Sequence, residues 1–176
     1  MERFNLKRKA AQYKEVLANT ENYRKNWKEG LKENIIRFME EIVKELELSG
    51  RVEVRPNLEN LEAVVLSLGV TQSGMYQKID QGVDVHLIKH NGSLIYQQLF
   101  NGKIIVLVQY PFIENYGQPR EPKTLAIYRP HELQEPFLIR HMEEFLQEIT
   151  AWEDYDDDEP TKRIGFELNF GVPKPE

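Results

Sequence analysis

Cysteine is absent from the 176 residues. That one absence excludes thiol nucleophiles, disulfide scaffolds, Cys-ligated zinc and Cys-ligated iron–sulfur clusters together. Long apolar runs are missing as well. No stretch approaches the ~18 uncharged apolar residues of a membrane-spanning helix, and Met1 to Lys14 carries Arg3, Lys7, Arg8 and Lys9 in place of an apolar signal core. A cytoplasmic protein with no membrane partner is the expectation. Walker loops, dinucleotide-binding glycine turns, a Gly-x-Ser-x-Gly elbow and a His-Glu-x-x-His helix are lacking too, so the common catalytic scaffolds are disfavoured and no cofactor is implied. Asp154, Asp156 and Asp158 have the spacing of the first calcium-loop ligands. Glu159 stands where that loop needs glycine and Gly165 where it needs glutamate, so no metal is expected there.

The composition that remains is globular: hydrophobic residues make up 40% and charged residues 30%, enough apolar surface for one core of ordinary size. The net charge of -6 argues against nucleic acid as a partner of the whole chain, because such binding works by neutralising phosphates. The charge is unevenly placed. Met1 to Glu29 holds eight basic and four acidic residues, a balance of +4, whereas Glu132 to Glu159 holds eleven acidic residues against Arg140, a balance of -10. Such runs keep a helix face wet, or they attract each other within one chain or between subunits.

Periodicity then divides the chain. Leu6, Ala10, Tyr13 and Leu17 mark an amphipathic helix, and Tyr23, Trp27, Leu31, Ile35, Phe38, Met39, Ile42, Val43 and Leu46 mark a stronger one. Thr20 is placed to cap the second helix and Gly50 to end it. If Asn19 and Thr20 are absorbed, the two become one helix of more than forty residues, on the order of 60 Å long, which favours pairing with another chain. Strands are expected at Arg51 to Arg55, Leu61 to Leu68 and Thr124 to Tyr128, a helix from Pro136 with Trp152 on its stripe, and a final strand at Arg163 to Phe170.

Two Asn-Gly pairs, Asn91-Gly92 and Asn101-Gly102, each separate apolar runs, and Asn-Gly supplies the two positive φ angles of a tight hairpin turn. They predict a meander of Val83 to His90, Ser93 to Phe100 and Lys103 to Tyr110. The register that follows sets Ile88 opposite Ile95, His86 opposite Gln97, His90 opposite Ser93 and Gln97 opposite Val106. One face becomes Val83, Val85, Leu87, Leu94, Tyr96, Phe100, Ile105 and Leu107, a core face. The other carries Ile88, Ile95, Val106 and Val108 beside Asp84, His86, His90, Gln97 and Tyr110, and is too apolar to stand in water.

The resulting fold class is α+β: an antiparallel meander of five to seven strands flanked by a long N-terminal helical segment and a C-terminal helix. Residues 1–50 form the helical segment, 51–128 the meander, 130–152 the helix, 153–162 an acidic linker, 163–170 the last strand and 171–176 a tail, all within one domain. Two functions suit this pattern. The first is a non-catalytic protein-interaction domain, adaptor or chaperone-like, whose partner is itself as a homodimer or another protein. Its interface would be the sheet face with Ile88, Ile95, Val106 and Val108, or the N-terminal helix. The alternative is a small-molecule binder or enzyme, with Asp84, His86, His90, Gln97 and Tyr110 as the polar lining of a pocket. His86 and His90 are four residues apart on one strand, about 13 Å, too far to share a metal ion.

Overall fold

The two N-terminal helices are one. A computed structural model of the protein describes residues 2–79 and 81–155. In it α1 (Glu2–Asn26), a single widened turn (Trp27–Leu31) and α2 (Lys32–Glu45) follow one another without a break. The amide of Lys32 donates to the Trp27 carbonyl five residues back, which is what widens the turn. Thr20 is absorbed rather than capping: its hydroxyl donates to the Val16 carbonyl at 3.2 Å. Nor does the helix run to Gly50. The Leu48 amide donates to the Val43 carbonyl at 3.0 Å and the Glu47 amide to that of Lys44 at 3.3 Å, with Glu47 at φ 52° in the left-handed position that glycine usually takes.

Eight antiparallel strands follow among the described residues: β1 (Arg51–Arg55), β2 (Ala63–Ser67), β3 (Val70–Ile79), β4 (Val83–His90), β5 (Ser93–Gln98), β6 (Ile104–Gln109), β7 (Phe112–Ile113) and β8 (Lys123–Tyr128). They form two sheets, ordered β1-β2-β5-β6-β8 and β3-β4-β7. The α+β class and the flanking helices stand as expected, but the meander does not. Strands β4 and β5 never pair, because Asn91-Gly92 is a bend and not a turn.

The pairing shows why. Ala63 faces Gln97 and Ser67 faces Ser93 in the first sheet, while Val70 faces His90 and Thr71 faces Lys89 in the second. One register runs through both pairs. Strands β2–β3 and β5–β4 are therefore the two legs of a single long hairpin, bent where Leu68-Gly69 passes Asn91-Gly92. The Leu68 amide donates to the Gly92 carbonyl and the Asn91 amide to that of Gly69, each at 3.0 Å, so the ladder continues through the bend. Gly69 at φ 80° and Gly92 at φ 93° supply the backbone shape on both legs. The hairpin closes at its far end through Gln81 and Gly82, both at positive φ.

The second Asn-Gly pair does close a hairpin, but with three loop residues. Leu99 and Lys103 pair across Phe100-Asn101-Gly102, with only Gly102 at positive φ. Tyr96 therefore faces Val106 and Gln97 faces Ile105, one residue away from the expected register. A one-residue slip exchanges the faces of the partner strand. Ile104, Val106 and Val108 consequently join Leu94 and Tyr96 on the core side, while Ile95 and Leu107 lie on the opposite side with Ala63 and Val65. Val83, Val85 and Phe100, expected in the core, are exposed.

The helices cover the first of these faces. Trp27, Ile35 and Met39 from the N-terminal helix and Leu138, Met142, Phe145 and Ile149 from α3 (Glu135–Glu153) pack with Val64, Leu66, Leu94, Tyr96 and Val106 in one cluster. Each such fully buried side chain contributes about 1.5–3 kcal/mol of hydrophobic stabilisation. Helix α3 extends to Glu153, one residue into the expected acidic linker, and the linker from residue 156, the expected strand 163–170 and the tail 171–176 lie outside the described residues.

Candidate functional site

The bent hairpin separates the polar residues that the sequence had grouped. Asp84 pairs with Lys78 and His86 with Tyr76 on the outer half, whereas Gln97 lies between Ala63 and Ile105 in the five-stranded sheet. No Asp84–His86–Gln97 cluster forms. The His86 ring sits against Tyr76 with 4.1 Å between centroids, and its buried Nδ1 has no hydrogen-bond partner. The four apolar residues are scattered likewise: Val106 and Val108 in the core, Ile95 on the far side of the main sheet, and Ile88 opposite Gln72 in the second sheet.

His90 and Tyr110 do come together. With Ser67, Ser93 and Gln109 from the main sheet, Arg55 from β1 and Phe112 from β7, they line a cavity of about 170 Å3 beside the bend. The His90 ring stacks on Phe112, 4.3 Å between centroids and 8° from parallel, and its Nε2 lies 2.8 Å from Glu114 Oε1. The Tyr110 hydroxyl donates to Glu148 of α3 at 2.6 Å. Burial and that carboxylate push the Tyr110 hydroxyl up to about 12. Glu148 is held low: burial alone would raise it, but hydrogen bonds from Lys123 and Tyr110 outweigh burial. The side chains of Arg55, Ser93 and Gln109 have no hydrogen bond or ion pair among the described residues.

A second buried polar group, His141, falls at core spacing in the sequence, but its partners do not show there. His141, on the apolar stripe of α3, lies between two tyrosines, its Nδ1 3.0 Å from the Tyr96 hydroxyl and its Nε2 2.9 Å from that of Tyr128. A neutral imidazole donates from one nitrogen and accepts at the other, so both tyrosines are satisfied without a charge. Burial, with Arg140 next in sequence, lowers His141 to about 4. The network is buried at Tyr96 and His141 and reaches the surface at half-buried Tyr128, whose hydroxyl lies 3.5 Å from Arg140 Nη2. Its sequence signal is only a histidine at core spacing.

Among the described residues, the start of the N-terminal helix is left without packing partners. Residues 3–18 are all exposed, including Phe4 at 72%, Leu6 at 68%, Tyr13 at 65%, and Val16 and Leu17 at half or more. Sixteen residues at 1.5 Å each make an arm of about 24 Å. Among the described residues, the arm is anchored only at its base. Tyr23 and Thr20 lie over the loop Phe100–Gly102, so close that a Cβ on Gly102 would stand 2.7 Å from the Cβ of Tyr23. Arg24 Nη2 donates to the Phe100 carbonyl at 3.0 Å. Immediately beyond, the buried Trp27 donates its indole N–H to Glu62 at 3.0 Å, and Lys32 lies 3.1 Å from the same carboxylate. The Trp27 hydrogen bond, followed by Lys32 against the opposing effect of burial, holds Glu62 below the usual carboxylate range. The seam between packed helix and bare arm thus falls between Thr20 and Trp27.

Comparison with protein families, curated proteins and solved structures finds no match to this chain. No helix among the described residues is long and apolar enough to cross a membrane.

Proposed function

We propose that this chain is a non-catalytic, self-associating interaction domain whose contact element is the N-terminal arm, with a second copy of the chain as its partner. The observation that carries this reading is the run of sixteen exposed helical residues with Leu6, Ala10, Tyr13 and Leu17 along one side. Isolated helices of about this length are marginal in water, and most helices in proteins owe their stability to burial of an apolar face. The arm carries a narrow apolar stripe of this kind, and none of the described residues covers it. Light scattering on the full chain tests the reading: the wild type should run as a dimer and Leu6→Glu/Leu17→Glu as a folded monomer with the circular dichroism of the wild type. A wild type that stays monomeric at high concentration overturns it.

The cavity at His90 supports a second reading, a site for a small polar ligand. What favours it is that Arg55, Ser93 and Gln109 bring polar groups without protein partners to one wall and the stacked His90–Phe112 pair closes another. Under this reading a small carboxylate such as acetate or succinate raises the melting temperature of the wild type and not of His90→Ala. Equal shifts in both proteins count against it.

A further inference from the structure

Resting on the self-association reading, we infer that the arm docks antiparallel along the solvent side of α3 in a second copy, and that each copy gives and receives one arm. Arm-on-arm pairing is disfavoured by charge. Lys7, Lys9 and Lys14 flank the stripe Leu6–Ala10–Tyr13–Leu17, so two arms laid together bring like charges against one another. The rest of the molecule is the better match: residues 1–29 carry +4 while the chain carries -6, leaving -10 on the remainder.

The helix termini point to α3 in particular. Cations near a helix N-terminus and anions near a C-terminus both oppose the macrodipole. The arm begins with Arg3, Lys7, Arg8 and Lys9, and α3 ends with Glu153 and Asp154 and has no basic residue in its last turn. The start of the arm is unfavourable alone; at the end of α3 Glu153 is met by Lys89, while Asp154 has no ion pair among the described residues. Placed antiparallel, the cationic start of one helix meets the anionic end of the other, and charges and dipoles are compensated together.

Length and spacing agree. α3 has 19 residues, about 28 Å, against about 24 Å for the arm. Its solvent side shows Ile139, Glu143, Gln147, Ala151 and Asp154, all exposed, and with them Arg140, whose charge is shared with Glu144 at 4.0 Å. An antiparallel alignment with Leu17 on Ile139 sets Lys14 by Glu143, Ala10 by Gln147, Leu6 by Ala151 and Arg3 by Asp154. Arg3, Lys14, Glu143 and Asp154 form no ion pair among the described residues. Two such contacts related by a two-fold axis close a symmetric dimer with no arm left over.

A charge exchange on the full chain, read by sedimentation and light scattering, tests this. Arg3→Glu/Lys14→Glu and Glu143→Lys/Asp154→Lys should each be monomeric with the circular dichroism of the wild type, and an equimolar mixture of the two should form a heterodimer. The wild-type dimer should weaken roughly ten-fold between about 0.1 M and about 1 M salt. If Glu143→Lys/Asp154→Lys dimerises like the wild type, or the mixture fails to reassemble, the α3 docking is overturned while self-association stands. If the wild type is monomeric, or is monomeric and sediments with phosphatidylserine vesicles, both readings fall.

Discussion

Residues 3–18 and residues 27–45 belong to one continuous helix, yet they meet different surroundings. The second part has Trp27, Ile35 and Met39 buried against a sheet, and the first has no residue that is even half-buried. Hydrogen bonding along the backbone is common to both, so helix formation is not what separates them. The difference is the width of the apolar stripe. Trp27, Leu31, Ile35, Phe38, Met39 and Ile42 make a broad face over about four turns, enough to seat on a sheet. Leu6, Ala10, Tyr13 and Leu17 make a narrow line bordered by lysines, which suits one other helix.

The substitutions that separate the two parts run from large to small. Trp27→Ala removes the largest buried side chain at the seam together with the donor to Glu62, and should cost about 3–5 kcal/mol in urea denaturation. A loss under about 1 kcal/mol would mean that the seam lies elsewhere.

Acid should weaken the face on which α2 and α3 pack. His141 is depressed from its ordinary 6.5 to about 4, so the unfolded chain takes up a proton that the folded chain refuses. Its contribution is fully present above about pH 6.5 and is lost progressively as the pH falls to about 4, on the order of 3 kcal/mol. His141→Phe should flatten that part of the pH–stability curve, and an unchanged slope would assign it to the carboxylates.

Gly102→Ala strikes the base of the arm. The residue sits at φ 80° and its new methyl would press on Tyr23 and the Thr20 carbonyl. A loss of about 1–2 kcal/mol and faster proteolysis within residues 3–18 are expected. Wild-type proteolysis rates would show that the loop does not hold the arm. Leu17→Ala is the smallest: within about 0.5 kcal/mol for the folded monomer, with a measurable weakening of the dimer. A larger loss of monomer stability would place Leu17 against its own domain.

Much of this architecture was legible in residue patterns, and the failures have identifiable causes. Strands β1 and β8, the helix after Pro136 and the long N-terminal helix follow from alternation and helical spacing. Asn91-Gly92 misled because its chemistry permits a turn without requiring one. Here Gly69 lies beside it on the neighbouring leg, and two facing glycines bend a ladder that a tight turn would have ended. The Asn101-Gly102 loop is one residue longer than the shortest hairpin, and that single residue exchanged the faces of β6. The polar grouping of Asp84, His86 and Gln97 rested on the first error, whereas His90 and Tyr110 share a cavity through a different route, the approach of the second sheet to the edge of the first.

By itself the sequence determined the elements and their chemistry: cysteine-free, unevenly charged, helix then strands then helix, because local spacing of apolar and polar residues is enough to choose a period. It also marked Leu6, Ala10, Tyr13 and Leu17 as one stripe. Only the tertiary structure decided which stripe is buried. Strand partners and helix neighbours are contacts between residues far apart in the chain, set by one-residue registers and two glycine bends, and among the described residues those contacts enclose Trp27 and leave the arm uncovered.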